Sequence, residues 1–276
     1  ICGVVVAGAT ELIGKEVIVP GVMPCNDCDI CRSGRSNRCL SQKMPGNSLG
    51  IYGGFSSHIP VPAADLCLID DRKDIPLEHL SIVADAVTTP YYAALRGRVQ
   101  QGDRVVVVGA TGALGMFLTQ IVKANDEKLK LIEKYGADHT VNSTGKSVKD
   151  IRGEIKTYAK ANNVPSNWGW KIFEVTGVKE GQEIALGLLT FVSTLVVVGY
   201  GTDKTEFMLS KLMAYDAEII GIWGCPPKYY PDALRLCVDG GISLKPFVQV
   251  RPLSQIAKAF DEYLHGRIIG RPVLVP

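Results

Sequence analysis

Net charge is what this 276-residue sequence has least of: 30 Lys and Arg against 28 Asp and Glu leave +2. Non-specific binding to nucleic acid or to an anionic membrane needs clustered basic charge, so neither is expected. Long apolar runs are also missing. The longest, near residues 186–200, is broken by Gly187, Thr190, Ser193 and Thr194 and is too short to cross a bilayer. No secretory signal is visible, which makes the cytoplasm the expected compartment. Histidines number only four, at 58, 79, 139 and 265, and none has metal-ligand spacing with another His or an acid. What is abundant is apolar: 46% hydrophobic residues with 29 Gly and 15 Pro exclude disorder, collagen and coiled coil. The length fits roughly two domains.

Eight cysteines stand out against this background, four of them as Cys25-x2-Cys28-x2-Cys31-x7-Cys39 in a polar, Gly-containing loop. Such spacing lets one loop wrap a tetrahedral ion, and four thiolates fill every position of zinc, so the site is structural. Disulfides are disfavoured in a chain this large without an export signal. A bacterial ferredoxin-type cluster would want a three-residue last gap followed by Pro, whereas here the gap is seven and Leu40 follows.

Strands are expected at Val4–Ala7, Lys15–Pro20 and Ala64–Ile69, a tight-turned sheet within Met44–Ile59, and helices at Pro76–Ala84 and Pro90–Gly97. Next comes the strongest local pattern. Arg104–Val108 is a β-branched strand, Gly109-Ala110-Thr111-Gly112-Ala113-Leu114-Gly115 is a Gly-rich turn, and Ala113–Lys123 is a helix. A dinucleotide pyrophosphate needs that order, because the backbone approaches closely and amide N–H groups at a helix start face the phosphates. Ala110 stands where G-x-G-x-x-G has its first Gly, in a turn position that needs no positive φ. Further strands at Lys171–Val175, Thr194–Val198 and Glu218–Ile222 are expected. Helices at Asp126–Tyr135, Lys149–Ala161, Gly181–Leu189, Pro231–Asp239 and Ser254–Leu264 lie between or after them, implying a parallel doubly wound sheet. The charged run Asp126–Lys134 reads as a solvated helix face.

Two features argue for a longer parent chain. Ile1 runs straight into a strand-like segment, and the helix at 113–123 leads into another helix where a strand ending in a ribose-binding acid is expected. The expectation is that these residues are stretches of a longer protein joined with pieces absent.

A four-Cys lobe followed by a dinucleotide fold resembles the medium-chain, zinc-containing alcohol dehydrogenase superfamily, essentially from Ile1 to Pro276. Three stretches narrow the resemblance: Cys39-Leu40-Ser41-Gln42-Lys43-Met44-Pro45-Gly46-Asn47-Ser48, Gly50-Ile51-Tyr52-Gly53-Gly54-Phe55-Ser56-Ser57-His58, and Pro165-Ser166-Asn167-Trp168-Gly169-Trp170-Lys171. They look like the branch that oxidises 6-hydroxycyclohex-1-ene-1-carbonyl-CoA, a cyclic hydroxyacyl-CoA, to the ketone in anaerobic aromatic degradation. The resemblance implies an α/β fold: a GroES-like, mostly-β catalytic domain lacking its N-terminal part, plus a Rossmann doubly wound parallel sheet. Boundaries follow at 1–85 for the catalytic domain with its zinc lobe, 86–222 for the Rossmann domain, and 223–276 for a return to the catalytic domain.

The same resemblance implies NAD, a structural zinc on Cys25, Cys28, Cys31 and Cys39, and a homo-oligomer, dimer or tetramer. The family's catalytic zinc draws on upstream residues that would precede Ile1; its third ligand falls on Asp85, with Thr88 as a neighbouring polar group. Gly112, Leu114 and Gly115 would line the pyrophosphate and nicotinamide side, and Thr89, Thr176 and Gly199 the nicotinamide ribose and ring. Trp223 would meet the carboxamide through its backbone and Arg271 would pair with the pyrophosphate. Tyr229-Tyr230 and Trp168/Trp170 are candidates for an acyl-CoA channel or for core packing, and Arg96, Arg98, Lys228 and Arg267 for CoA phosphates. Two other readings stand beside this one: a general zinc-dependent secondary-alcohol or polyol dehydrogenase, and a zinc-ribbon interaction module, which the near-neutral charge disfavours.

Overall fold

The structure is a computed structural model that describes residues 1–48, 52–122, 137–268 and 270–276. The described strands are β1 (Cys2–Val4), β2 (Glu16–Ile18), β3 (Cys67–Leu68), β4 (Arg104–Val108), β5 (Trp170–Glu174), β6 (Thr194–Val197), β7 (Glu218–Gly221), β8 (Val248–Pro252) and β9 (Arg271–Val275). The described helices are α1 (Asp29–Arg32), α2 (Leu77–Leu80), α3 (Thr88–Arg96), α4 (Ala113–Val122) and α5 (Val148–Ala161). They continue with α6 (Lys179–Gly187), α7 (Ser210–Tyr215), α8 (Tyr230–Val238) and α9 (Ile256–Leu264). Two compact units result: Ile1–Tyr92 with Trp223–Pro276, and Ala93–Ile222.

The second unit is built on a parallel sheet in the order β4-β5-β6-β7, with Val106 opposite Ile172, Ile172 opposite Leu195, and Leu195 opposite Ile219. Alternate residues of β5 point to opposite faces, yet Ile172 and Phe173 are both fully buried. Each face is therefore covered. Val108, Trp170, Ile172 and Leu195 pack with Ile151 of α5 and with Ala185 and Leu188 at α6. Phe173 and Val196 pack with Ala93 of α3 and Leu118 of α4. Helices on both faces of a parallel sheet are the doubly wound arrangement that the strand–helix alternation implied. Ser147 starts α5 with a reciprocal cap: its hydroxyl oxygen accepts from the Asp150 N–H, and the Asp150 carboxylate accepts from the Ser147 N–H. Among the described residues β4 is an edge of this sheet. The expected helix at 126–135, its charged face, and Lys123 lie outside the described residues.

The first unit holds an antiparallel sheet, β1-β2-β3, and a parallel pair, β8-β9. Its core collects Ile18, Leu80, Val83, Tyr230, Ala233 and Phe247, all 2% exposed or less. The sheet expected within 44–59 is not formed by the residues described there. Gly46 N–H bonds to the Tyr52 carbonyl, and the Ser56 hydroxyl lies 2.8 Å from the carbonyls of both Gly53 and His58, with one proton to donate to either. These local bonds satisfy the backbone without a ladder partner. The expected helix at 76–84 is split: α2 tightens after Leu80 into a 3-10 turn at Ser81–Ala84, which stops at Asp85 with φ −146° and ψ −60°.

Tyr230 fixes that stop. Its buried phenol donates to the Ala84 carbonyl at 2.7 Å and accepts from the Gly21 N–H at 3.1 Å. Burial pushes the phenol's pKa above its ordinary value, so it stays a donor at neutral pH. Tyr230→Phe leaves the Ala84 carbonyl unsatisfied and is expected to cost about 1–3 kcal/mol, read from the urea midpoint at unchanged slope.

Candidate functional site

The four-Cys loop is closed at its base by a two-way backbone bridge between Met23 and Lys43, at 2.8 and 2.9 Å. Within it the four Sγ atoms lie within 4.8 Å of one another. Cys25–Cys39 is 3.4 Å, Cys28–Cys31 3.5 Å, Cys28–Cys39 3.9 Å and Cys25–Cys31 4.0 Å. A tetrahedral zinc with ~2.3 Å Zn–S bonds needs edges of about 3.8 Å, so these residues fit that ion. None of the eight cysteines is in a disulfide. The backbone prepares the sulfurs as acceptors: the N–H groups of Cys25 and Ser41 point at Cys39 Sγ, and that of Cys28 at Cys25 Sγ. Backbone N–H groups of Leu40 and Cys31 pull the Cys28 thiol down to about 6. Cys31 goes the other way, to about 12, through desolvation and neighbouring sulfurs that hold it protonated. Four thiolates this close need a cation to coexist.

In the second unit the Gly-rich turn follows β4 and opens α4. Gly109 takes φ +92°, and a Cβ there would collide with the Thr176 side chain. Ala110 is 5% exposed and needs no positive φ, as its side chain requires. Gly112 N–H closes the turn on the Gly109 carbonyl at 3.0 Å. Gly115 sets the first turn of α4 directly on this backbone: its Cβ would overlap the Gly109 carbonyl and lie 2.6 Å from Ala110 Cα. Leu114 beside it is half-buried, and Thr176 and Gly199 follow the ends of β5 and β6. Gly112, Leu114, Gly115, Thr176 and Gly199 thus share the C-terminal end of one parallel sheet. Gly115→Ala is expected to cost about 1–3 kcal/mol and to weaken NAD binding, because only backbone can give way. Thermal unfolding and NAD titration of that variant check it.

The remaining predicted residues fall in the first unit. Asp85 Oδ1 accepts from the Thr89 hydroxyl at 2.9 Å, and Oδ2 accepts from Arg271 Nη2 at 2.7 Å. The Asp85 side chain is 58% exposed and that of Arg271 27%. Arg271, expected to meet a pyrophosphate, spends one nitrogen on Asp85 and buries Nε without a partner. Thr88 is fully buried; its hydroxyl makes no hydrogen bond of normal geometry and lies beside the Tyr230 phenol. Trp223 carries the Arg38 guanidinium 5.1 Å from its ring centroid, and its carbonyl accepts from the Asn37 side chain. Among the described residues the four cysteines are the only group of three or more His, Cys, Asp or Glu close enough to hold a metal. Among the described residues Asp85 is not part of such a group.

Two of the histidines take structural places: His139 stacks on Tyr158 at 4.3 Å and His265 Nδ1 meets the Asp261 carbonyl at 2.7 Å. Tyr230 takes the core-packing alternative given for it, whereas Asn37 and Glu174 were not named from the sequence. Only Glu174 left a signal, as an acid closing a buried strand just before Val-Thr-Gly.

Comparison with known proteins gives this geometry a family. A model of the alcohol dehydrogenase GroES-like domain matches residues 1–71, and one of zinc-binding dehydrogenases matches residues 105–239. The chain belongs to the medium-chain zinc-dependent alcohol dehydrogenase superfamily. Its members are oxidoreductases that use NAD(H) and zinc. An alcohol dehydrogenase of Geobacillus stearothermophilus is 28% identical over 277 residues, 95% of this chain and 76% of that protein. L-galactonate-5-dehydrogenase of Escherichia coli K12 is 23% identical over 274 residues, 95% of this chain and 77% of that protein. In fold, the chain is similar to galactitol-1-phosphate dehydrogenase from Escherichia coli, with a TM-score of 0.85 at 22% identity, covering 100% of this chain and 82% of that one. Among the described residues no helix is long and apolar enough to cross a membrane.

Proposed function

We propose that this member of the superfamily is an NAD-dependent dehydrogenase of secondary alcohols or polyols. The observation that carries the reading is the seating of Gly115 on the Gly109 and Ala110 backbone, which brings the start of α4 to the end of β4. Amide N–H groups there meet a pyrophosphate. Bound at this turn, NAD would supply the hydride acceptor, and the chain's own residues would handle the alcohol proton. Asp85 takes the alcohol proton on its half-exposed carboxylate, with Thr89 and Arg271 fixing one oxygen each. Cys25, Cys28, Cys31 and Cys39 would fill all four positions of a zinc ion, which would hold the loop shut and offer no position to substrate. The similarity to an alcohol dehydrogenase and to a sugar-acid dehydrogenase supports simple hydroxyl substrates.

A second reading, oxidation of 6-hydroxycyclohex-1-ene-1-carbonyl-CoA, draws on the stretches at 39–48, 50–58 and 165–171. The structure offers that ester few cations. Arg98 pairs with Glu218, Arg267 with Asp261, and Lys228 lies 4.9 Å from the Tyr229 ring centroid. The aromatics proposed for its channel are occupied as well: Tyr229 packs against Tyr91 and Tyr92, Tyr230 is buried, and Trp168 carries the Arg104 guanidinium. NADH formation from secondary alcohols, polyols and the cyclic hydroxyacyl-CoA decides between them. Turnover of simple alcohols is expected. Turnover of the CoA ester alone would favour the second reading, and no NADH from any would reject both.

A further inference from the structure

Glu174 is a carboxylate at the end of an apolar strand, 1% exposed. Its Oε1 gathers three donors from the turn that follows: the Thr176 N–H at 2.7 Å, the Gly177 N–H at 3.0 Å, and the Thr176 hydroxyl. Its Oε2 is buried without a partner. Burying a carboxylate is costly unless hydrogen bonds replace its water, and here every such bond comes from one turn.

That turn has no slack. A Cβ on Gly177 would strike the Tyr200 carbonyl, and one on Gly199 would strike the Gly177 N–H. The Glu174 carbonyl accepts from the N–H groups of Val198 at 2.9 Å and Gly199 at 3.0 Å. Across β4, the Thr176 side chain fills the space beside Gly109. The turn that this carboxylate holds therefore touches the exits of three adjacent parallel strands, β4, β5 and β6. In open α/β sheets a nucleotide is bound just outside such exits. A buried group cannot itself touch the nucleotide, so any effect it has on binding passes through the turn.

We propose that Glu174 is a positioning residue for the dinucleotide, holding the Thr176-Gly177 turn through Oε1 in the shape that receives the cofactor. This rests on the reading of the chain as an NAD-dependent dehydrogenase. Titration of the full chain with NAD by calorimetry, together with steady-state kinetics, tests it. Glu174→Ala is expected to raise the NAD Kd and the KM for NAD by about tenfold, with kcat at saturating NAD within about threefold, since three hydrogen bonds to the turn are lost. Glu174→Gln keeps an acceptor oxygen and should restore most of the affinity. Thr176→Val removes one donor without leaving a buried charge unmatched; it stands in if the Ala variant does not fold, with an expected threefold weakening or more. Wild-type NAD affinity in a folded Glu174→Ala, or in Thr176→Val where the former does not fold, would overturn the positioning role alone. Absence of NAD binding by the wild-type chain would instead overturn the dehydrogenase reading, and this role with it.

Discussion

Cys28→Ala is expected to lower the zinc content by about one ion per chain and to loosen the loop from Met23 to Lys43. The effect is large because, beyond the Met23–Lys43 bridge and the Asn26–Asp65 and Asn37–Trp223 hydrogen bonds, little holds that loop. Its helix α1 is four residues long with none buried, and the ion pairs of Arg32 with Asp27 and Asp29 are exposed. Exposed pairs contribute at most about 1 kcal/mol, whereas structural zinc in small peptides contributes on the order of 10 kcal/mol. Even a third of that, about 3 kcal/mol, lowers the unfolding midpoint by roughly 10 °C in a chain of this size. NAD binding is expected to survive, since the Gly-rich turn belongs to a unit with its own core. Metal analysis and thermal unfolding check both halves. Unchanged zinc content would reject the four-cysteine assignment.

Asp85→Ala is expected to cut turnover by about 100-fold or more, the usual worth of a positioned proton acceptor, with little change in stability. The Asp85–Arg271 pair is partly solvent-exposed, so its loss costs at most about 1 kcal/mol. Asp85→Asn keeps oxygen for the Thr89 hydroxyl and removes the charge, so it separates geometry from proton acceptance. Both variants are expected to be slow if the charge matters. Normal turnover in Asp85→Ala would remove that residue from the chemistry.

The parallel sheet was legible because its signals are local. Four consecutive valines followed by Gly109, Gly112 and Gly115 place strand, turn and helix within a dozen residues, and β4 and the start of α4 fall where expected. The parallel pair β8-β9 was not legible. Pro252 ends β8 and Pro272 stands second in β9, and both lack the N–H that a ladder donates, which ordinarily argues against a strand. A two-stranded sheet gives each strand a free edge, and such edges tolerate proline. Helix α7 also went unseen: six residues with Met213 largely exposed carry no clear apolar period. At the site, the glycines and cysteines announced themselves by spacing. The Arg271–Asp85 and Tyr230–Ala84 contacts could not, because they join residues 186 and 146 positions apart.

Those separations bear on how the molecule comes together. The unit holding Asp85 is made of residues 1–92 and 223–276, whereas the other is one continuous stretch, 93–222. During synthesis the continuous unit has its whole sequence available while the first still lacks its final third. Closing a contact across 186 residues carries a loop-entropy cost that a neighbouring contact does not, and ordering the intervening segment first reduces it. Vectorial synthesis therefore favours the continuous unit assembling before Asp85 meets Arg271, which β9 delivers from the second segment of the other unit.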